Sequence, residues 1–288
     1  MILDGFKKDL TNHRKQPATI HSYITDGDEF FSFLEKNHIP FQEVDTEVVS
    51  SFQAHLSHSC KDSQNSIRRK IISIRQLYRF MQKSYPLHHS ALDNYPIPAR
   101  KEIHTAPLSS NELKKLFTII TNSNFPTKSK RDAAILSLLA EEGLKSSELI
   151  NLKWHNFLYL KGQGSLKVTG AKKRFIEISN NSTNSIKKYL NHLKSDPLLL
   201  PFCKNNQKMF ISFKGKSSIS PIPSLTRHGL KFMLYELGSH LSKPKLNGEI
   251  LRHHAICHQL SLGKSTEEVM KHLGLKRIGN INQHIQKS

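Results

Sequence analysis

Acidic residues are scarce in this 288-residue chain: 23 Asp and Glu stand against 43 Lys and Arg, a formal charge of +20. Such an excess works against compaction unless something anionic meets it. It disfavours an enzyme of neutral metabolites and favours nucleic acid or an anionic surface as partner. Cysteine is scarce too. Cys60, Cys203 and Cys257 are odd in number and far apart, which excludes a disulfide framework and a CxxC zinc knuckle and points to a reducing, cytoplasmic setting. Long apolar runs are absent. The longest, about Ala133 to Ala140, is interrupted by Ser137 and falls far short of a membrane span. Met1 to Thr11 lacks a signal-peptide core. Gly (13) and Pro (12) are too few for low complexity, and no repeat at a fixed period occurs.

What is present is helical periodicity. Phe6, Leu10, Ile20, Tyr23 and Ile24 recur at helical spacing, and Phe30, Phe31, Phe33 and Leu34 form a dense apolar face after Asp26-Gly27-Asp28. His38-Ile39-Pro40 ends that pattern. A second helix is expected after Asp45-Thr46, with Thr46 as its cap and Val48, Val49, Phe52 and Leu56 inward. A third, from about Ser63 to Lys83, carries Ile67, Ile71, Ile74, Leu77, Tyr78 and Met81 on one stripe. Arg68, Arg69, Lys70, Arg75 and Arg79 occupy its other positions without an interleaved acid. That face reads as a phosphate-contacting one; an ordinary solvated helix face is the alternative.

Pro86, Pro96, Pro98 and Pro107 punctuate a stretch with no sustained period. The expected division is a helical domain over 1–88, a linker over 89–106 and a second domain over 107–288. In the second, Ser109 or Ser110 can cap a helix, Asp132 to Leu139 is strongly helical, Gly143 marks a turn, and a helix follows around Ser146 to Leu152. Leu166 to Ile178 reads as two short strands joined at a charged tip, Lys172-Lys173-Arg174. Helices are expected again near Thr183–Leu193, Leu225–Leu237, Arg252–Leu260 and Thr266–Leu273. His254 and His258 have the i, i+4 spacing that can chelate zinc, with Cys257 beside them, but the acid of an HExxH motif is missing and no metal is assigned.

Three segments carry a resemblance: Asp132 to Trp154 with Gly143-Leu144-Lys145-Ser146-Ser147-Glu148-Leu149 at its centre, Gly170 to Ile178, and Ile250 to Ala255 followed by Glu267 to Leu275. In that order, behind a basic helical domain and a proline-rich linker, they resemble the tyrosine recombinase (phage integrase) family and its Xer-like site-specific recombinases. The resemblance implies a mainly α fold: an N-terminal SAM-like helical core-binding domain, then a catalytic-type helical domain with a small antiparallel β-sheet, the two clamping duplex DNA. It implies no cofactor.

In that family two arginines and a histidine stabilise charge at the phosphate, a hairpin lysine protonates the leaving oxygen, and a tyrosine attacks phosphorus. The hairpin lysine matches Lys172, with Lys173 as a register alternative, and the second arginine matches Arg252. Lys145 stands at the first arginine position, Glu249 at the histidine of His-x-x-Arg, Leu275 at the histidine of Leu-Gly-His, and His284 nine residues later at the tyrosine. Lysine keeps the charge but loses the bidentate fork. A carboxylate about 5 Å from the phosphate, at an effective dielectric of about 20, repels it by about 3 kcal/mol. Leucine donates no hydrogen bond. None of the seven tyrosines follows Arg252. With four residues after His284, a further helix packing on a neighbouring subunit is not expected.

The expectation is therefore a double-stranded-DNA-binding relative, nucleoid-associated in the cytoplasm, that does not cleave. Its contacts would be Arg68, Arg69, Lys70, Arg75, Arg79, Lys145, Lys172, Lys173, Arg174 and Arg252, and its partners a cleavage-competent recombinase or copies of itself. Two alternatives stand beside it: a divergent active recombinase using His284 or a nucleophile supplied by a partner, and an RNA-binding or scaffold protein using the same basic surface. Arg252 could also be a structural ion-pair partner, and the hairpin tip merely solvated.

Overall fold

The computed structural model describes residues 2–84, 91–101, 108–170, 172–213, 221–241, 243, 245–275 and 281. The chain divides into two compact units, residues 1–104 and 105–288.

In the first unit run α1 (Ile2–Asn12), α2 (Pro17–Lys36), α3 (Thr46–His58), α4 (Gln64–Ser84) and a single turn, α5 (Ala91–Asn94). Pro17 starts α2, where its missing N–H costs nothing. Asp45, not Thr46, caps α3 by accepting the Val48 N–H at 2.8 Å. Asp26-Gly27-Asp28, with the look of a turn, lies inside α2. Gly27 is there because α1 and α4 come close: a Cβ would sit 2.9 Å from Leu3 Cδ2 and 3.2 Å from Leu77 Cδ2. The apolar stripes meet in a core of Phe6, Phe30, Phe52, Ile71, Leu77 and Met81. There the Phe52 ring packs edge-on to Phe30 at 4.8 Å and against Phe33 at 5.0 Å.

The second unit contains α6 (Ser110–Thr121), α7 (Pro126–Ala140), α8 (Ser146–Leu149), β1 (Phe157–Leu160), β2 (Gln163–Val168), β3 (Arg174–Glu177) and α9 (Asn180–Ser195). Then come β4 (Ser212–Phe213), β5 (Pro221–Ile222), α10 (Arg227–Ser239), α11 (Gly248–Ser261) and α12 (Thr266–Leu273). Helix α7 is the centre: Ala134, Ile135, Leu136, Leu138 and Leu139 are fully buried, so it is apolar nearly all round, as an internal helix must be. It packs against α6, α9 and α11. Trp154 belongs to this core and donates its indole N–H to the Phe202 carbonyl at 2.8 Å.

The sheet is antiparallel in the order β1-β2-β3, with Leu166 opposite both Phe157 and Ile176. It has one strand more than the two expected. Phe157-Leu158-Tyr159-Leu160 has no apolar–polar alternation, so the period-2 signal misses it. Ser109 caps α6 in a reciprocal box with Glu112, Asn247 caps α11, and Ser265 caps α12, which Gly274 closes at φ 65°. The fold is thus mainly helical, with a helical N-terminal unit and a catalytic-type C-terminal unit holding a small antiparallel sheet. No described helix is long and apolar enough to cross a membrane.

Truncating the central ring of the first core, Phe52→Ala, is expected to cost about 3–5 kcal/mol. Equilibrium denaturation of the full chain should show that loss in the transition of the first unit.

Candidate nucleic-acid interface

Four separated segments meet in the second unit: the turn and helix over 143–148, the hairpin over 172–174, the first turns of α11 over 249–252, and the end of α12 over 272–275. Two arginines join them. Arg174, at the start of β3, donates two hydrogen bonds to the Glu148 carboxylate, at 2.8 and 3.1 Å, one to the His272 carbonyl at 2.6 Å, and one to the Lys172 carbonyl at 3.2 Å. Arg252 donates to the carbonyls of Gly143 and, at 2.9 Å, Leu273. Glu148 also accepts the Lys145 N–H at 2.9 Å, which fixes the turn leading into α8. Gly143 is required here. Its φ is +63°, and a Cβ would lie 2.5 Å from Leu273 Cδ2 and 3.1 Å from Ala255 Cβ.

The electrostatics follow from burial. Taking Glu148 out of water acts to raise its pKa, but the Arg174 fork and the Lys145 N–H outweigh that and hold it below the ordinary carboxylate range. Burial lowers the pKa of Arg252, while Glu148 and Glu249 oppose the shift; the guanidinium stays charged. Four cations (Lys145, Lys172, Arg174, Arg252) thus share the region with two carboxylates. Lys173 and Glu249 are exposed at its edge, and Lys145 and Lys172 are half-buried. Below it, Glu142 accepts the Ser179 N–H at 2.9 Å, with His272 Nε2 3.2 Å away at ion-pair distance. Burial acts to raise the Glu142 pKa, but these partners hold it low.

The segments bearing Lys145, Lys172, Arg252 and Glu249 are brought together, and Leu275 lies half-buried against the apolar cluster of Ile256, Val269 and Leu273. His284 lies outside the described residues. Arg174 departs from expectation as a DNA contact: its side chain is 8% exposed and committed to Glu148. Asn247 caps α11 and accepts the Glu249 N–H at 2.9 Å. Because Glu249 is exposed, solvent screening brings its repulsion of a phosphate below the estimate made from charge alone.

The basic face of α4 departs further, because the acids that balance it come from other elements. Arg69 pairs with the buried Asp26 of α2. Lys70 sits 2.6 Å from both Glu29 and Asp62, and Arg79 lies 2.8 Å from Asp93. Arg68 and Arg75 donate to the carbonyls of Pro98 and Tyr95. Only Arg69 and Arg79 of the five are exposed, by 44% and 50% of their side chains.

Helix α10, expected from the sequence only as a helix, buries Leu230, Met233, Leu234 and Leu237. On the opposite face Arg227, His228 and Lys231 are exposed. Arg227 and Lys231 line a cleft of about 140 Å³ with Ser146 and Gly248, next in sequence to Lys145 and Glu249. Their i, i+4 spacing was the available signal. Among the described residues no three His, Cys, Asp or Glu are grouped to hold a metal. His254 Nδ1 lies 2.6 Å from the Leu108 carbonyl oxygen, and its ring stacks on His258.

Glu148→Gln is expected to cost about 3 kcal/mol at neutral pH, because it leaves Arg174 buried without its partner. The Glu148 pKa is lower folded than unfolded, so its stabilising contribution is complete above the unfolded value near 4.5 and disappears as pH falls through the folded one. Denaturation midpoints of the variant between pH 7 and 3 should therefore decline less steeply toward acid than those of the parent.

Residues 107–288 match the model of the phage integrase family, and residues 3–84 that of the phage integrase N-terminal SAM-like domain. The tyrosine recombinase XerC of Staphylococcus aureus is 24% identical over 282 residues, covering 93% of this chain and 88% of XerC. Among solved structures, XerH site-specific recombinase bound to palindromic difH substrate superposes with a TM-score of 0.69 at 17% identity, over 92% of this chain and 75% of XerH. A lambda integrase dimer bound to a COC′ core site gives 0.68 at 13% identity, over 99% and 76%. The family match spans well over half of the sequence, and the chain belongs to the phage integrase family of tyrosine recombinases.

Proposed function

We propose that this protein grips duplex DNA through Lys145, Lys172 and Lys173, set around the buried guanidinium of Arg252, helped by Arg227 and Lys231 of α10, and that it does not cleave the strand it holds. The observation that carries this reading is the make-up of the converged cluster. It keeps the charge needed to hold a phosphate and lacks the groups needed to cut beside one. Lys145 gives one ammonium where the family has a bidentate arginine. Glu249 brings a negative charge toward a site that must stabilise one. Leu275 packs among Ile256, Val269 and Leu273 and has no hydrogen to donate. His284 stands where the family has its nucleophilic tyrosine. XerH and lambda integrase were each captured on DNA, the latter as a dimer; by analogy, copies of this chain pair on a two-fold site, or one copy sits beside a competent recombinase. The level of identity to XerC supports kinship with Xer-type proteins.

Arg174 is reassigned in this reading from contact to scaffold. Arg69 and Arg79 remain as exposed contacts of the first unit. Lys70, Arg68 and Arg75 hold that unit together.

Binding of a labelled duplex, followed by fluorescence anisotropy, should weaken by about 10³-fold between 50 and 200 mM salt if six or more phosphates are held. A flat salt response would overturn the proposal. Lys145→Ala should weaken binding to all sequences alike and lower the salt slope by about one. Glu249→Gln should strengthen binding several-fold at low salt, with the gain shrinking as salt rises.

A further inference from the structure

We infer that the cleft between α10 and the turns at Ser146 and Gly248 holds one unpaired nucleobase of the DNA gripped beside it, with Tyr235 as the stacking surface. This rests on the duplex-binding reading above and names the state of the DNA that the site prefers.

The first observation is where aromatic surface is spent. Phe232 is 60% exposed and Tyr235 is 37% exposed; Tyr235 stands with Arg227 and Lys231 at the cleft, and Phe232 lies beside His228 further round the helix. Each ring is paired with a neighbour on the same helix: Lys231 Nζ lies 5.2 Å from the Tyr235 ring centroid, and the His228 ring meets Phe232 at a near-right angle, 4.5 Å away. Holding phosphates needs the cations alone. Aromatic rings interleaved with cations are what single-stranded bases stack on, since every base offers a π face.

The second observation is the cleft itself. Its volume is about 140 Å³, its walls include Tyr235, Leu230 and Leu234, and Arg227, Lys231 and Ser146 add the polar edge. Among the described residues no carboxylate lines it. Glu236, the exposed acid of α10, pairs with Lys128 at 3.2 Å. A slot lined by a ring, two leucines, two cations and a hydroxyl suits a flat, hydrogen-bonding heterocycle attached to an anionic backbone. Position supplies the third argument. Ser146 follows Lys145 directly, and the backbone at Gly248 runs so close that a Cβ there would strike Ser146 Oγ. The cleft is thus continuous with the phosphate cluster, and a base swung out of the stack there stays tied to a phosphate held at Lys145.

Two duplexes of equal length and sequence, one carrying a single extrahelical 2-aminopurine, test this in the full-length protein. The expected result is binding about tenfold tighter to the bulged duplex, with quenching of the 2-aminopurine as it stacks. Tyr235→Ala should bring the ratio of the two affinities close to one, and Tyr235→Phe should preserve it. Equal affinity of the parent protein for the two duplexes, unchanged fluorescence, or a preference that survives Tyr235→Ala overturns the base site and leaves the duplex grip standing. Failure to bind either duplex overturns both. The fluorescence arm uses the parent protein alone, so the test does not depend on how the variants fold.

Discussion

The bidentate pair between Arg174 and Glu148 is the contact on which the rest of the C-terminal site depends. Neither group can stay buried without the other, because an unpaired charge there costs several kcal/mol. Sequence separation makes the pair informative. Glu148 belongs to the short helix after Gly143, Arg174 to the hairpin, and the third partner of Arg174 is the carbonyl of His272 at the end of α12. One guanidinium therefore fixes three segments that have no local reason to meet. Arg252 adds the fourth, through the carbonyls of Gly143 and Leu273. The cluster is held by backbone acceptors and one carboxylate.

Much of this was legible in the sequence, and for a definable reason. Ile67, Ile71, Ile74, Leu77, Tyr78 and Met81 repeat at helical steps, and all are buried; periodicity alone identifies such a face. Ser109 with Glu112 announces a helix start through a three-residue spacing. What the sequence hid was charge balance across space. Arg69 and Lys70 have no acid nearby in the chain, yet Asp26, Glu29 and Asp62 reach them from α2 and the turn before α4. No local pattern records such pairings. The same blindness made Arg174, in the charged hairpin tip, look like a DNA contact. Asp26-Gly27-Asp28 has turn composition yet lies within α2, because a close helix contact needs the missing side chain, and tertiary packing overrides local preference.

Family membership is shown by the matches over residues 3–84 and 107–288, whereas loss of cleavage is the proposal, and the two have separate supports. The fold and the framework residues Glu148, Arg174 and Gly143 explain why the chain adopts the integrase architecture. The side chains of Lys145, Glu249 and Leu275 take no part in the Arg174–Glu148 pair.

The most direct test uses a duplex nicked beside the scissile phosphate, so that any attacking side chain becomes trapped on the DNA. The account predicts a complex on a native gel and no covalent protein–DNA band after denaturation. A covalent adduct formed by the purified protein alone, and lost in His284→Ala, would contradict it.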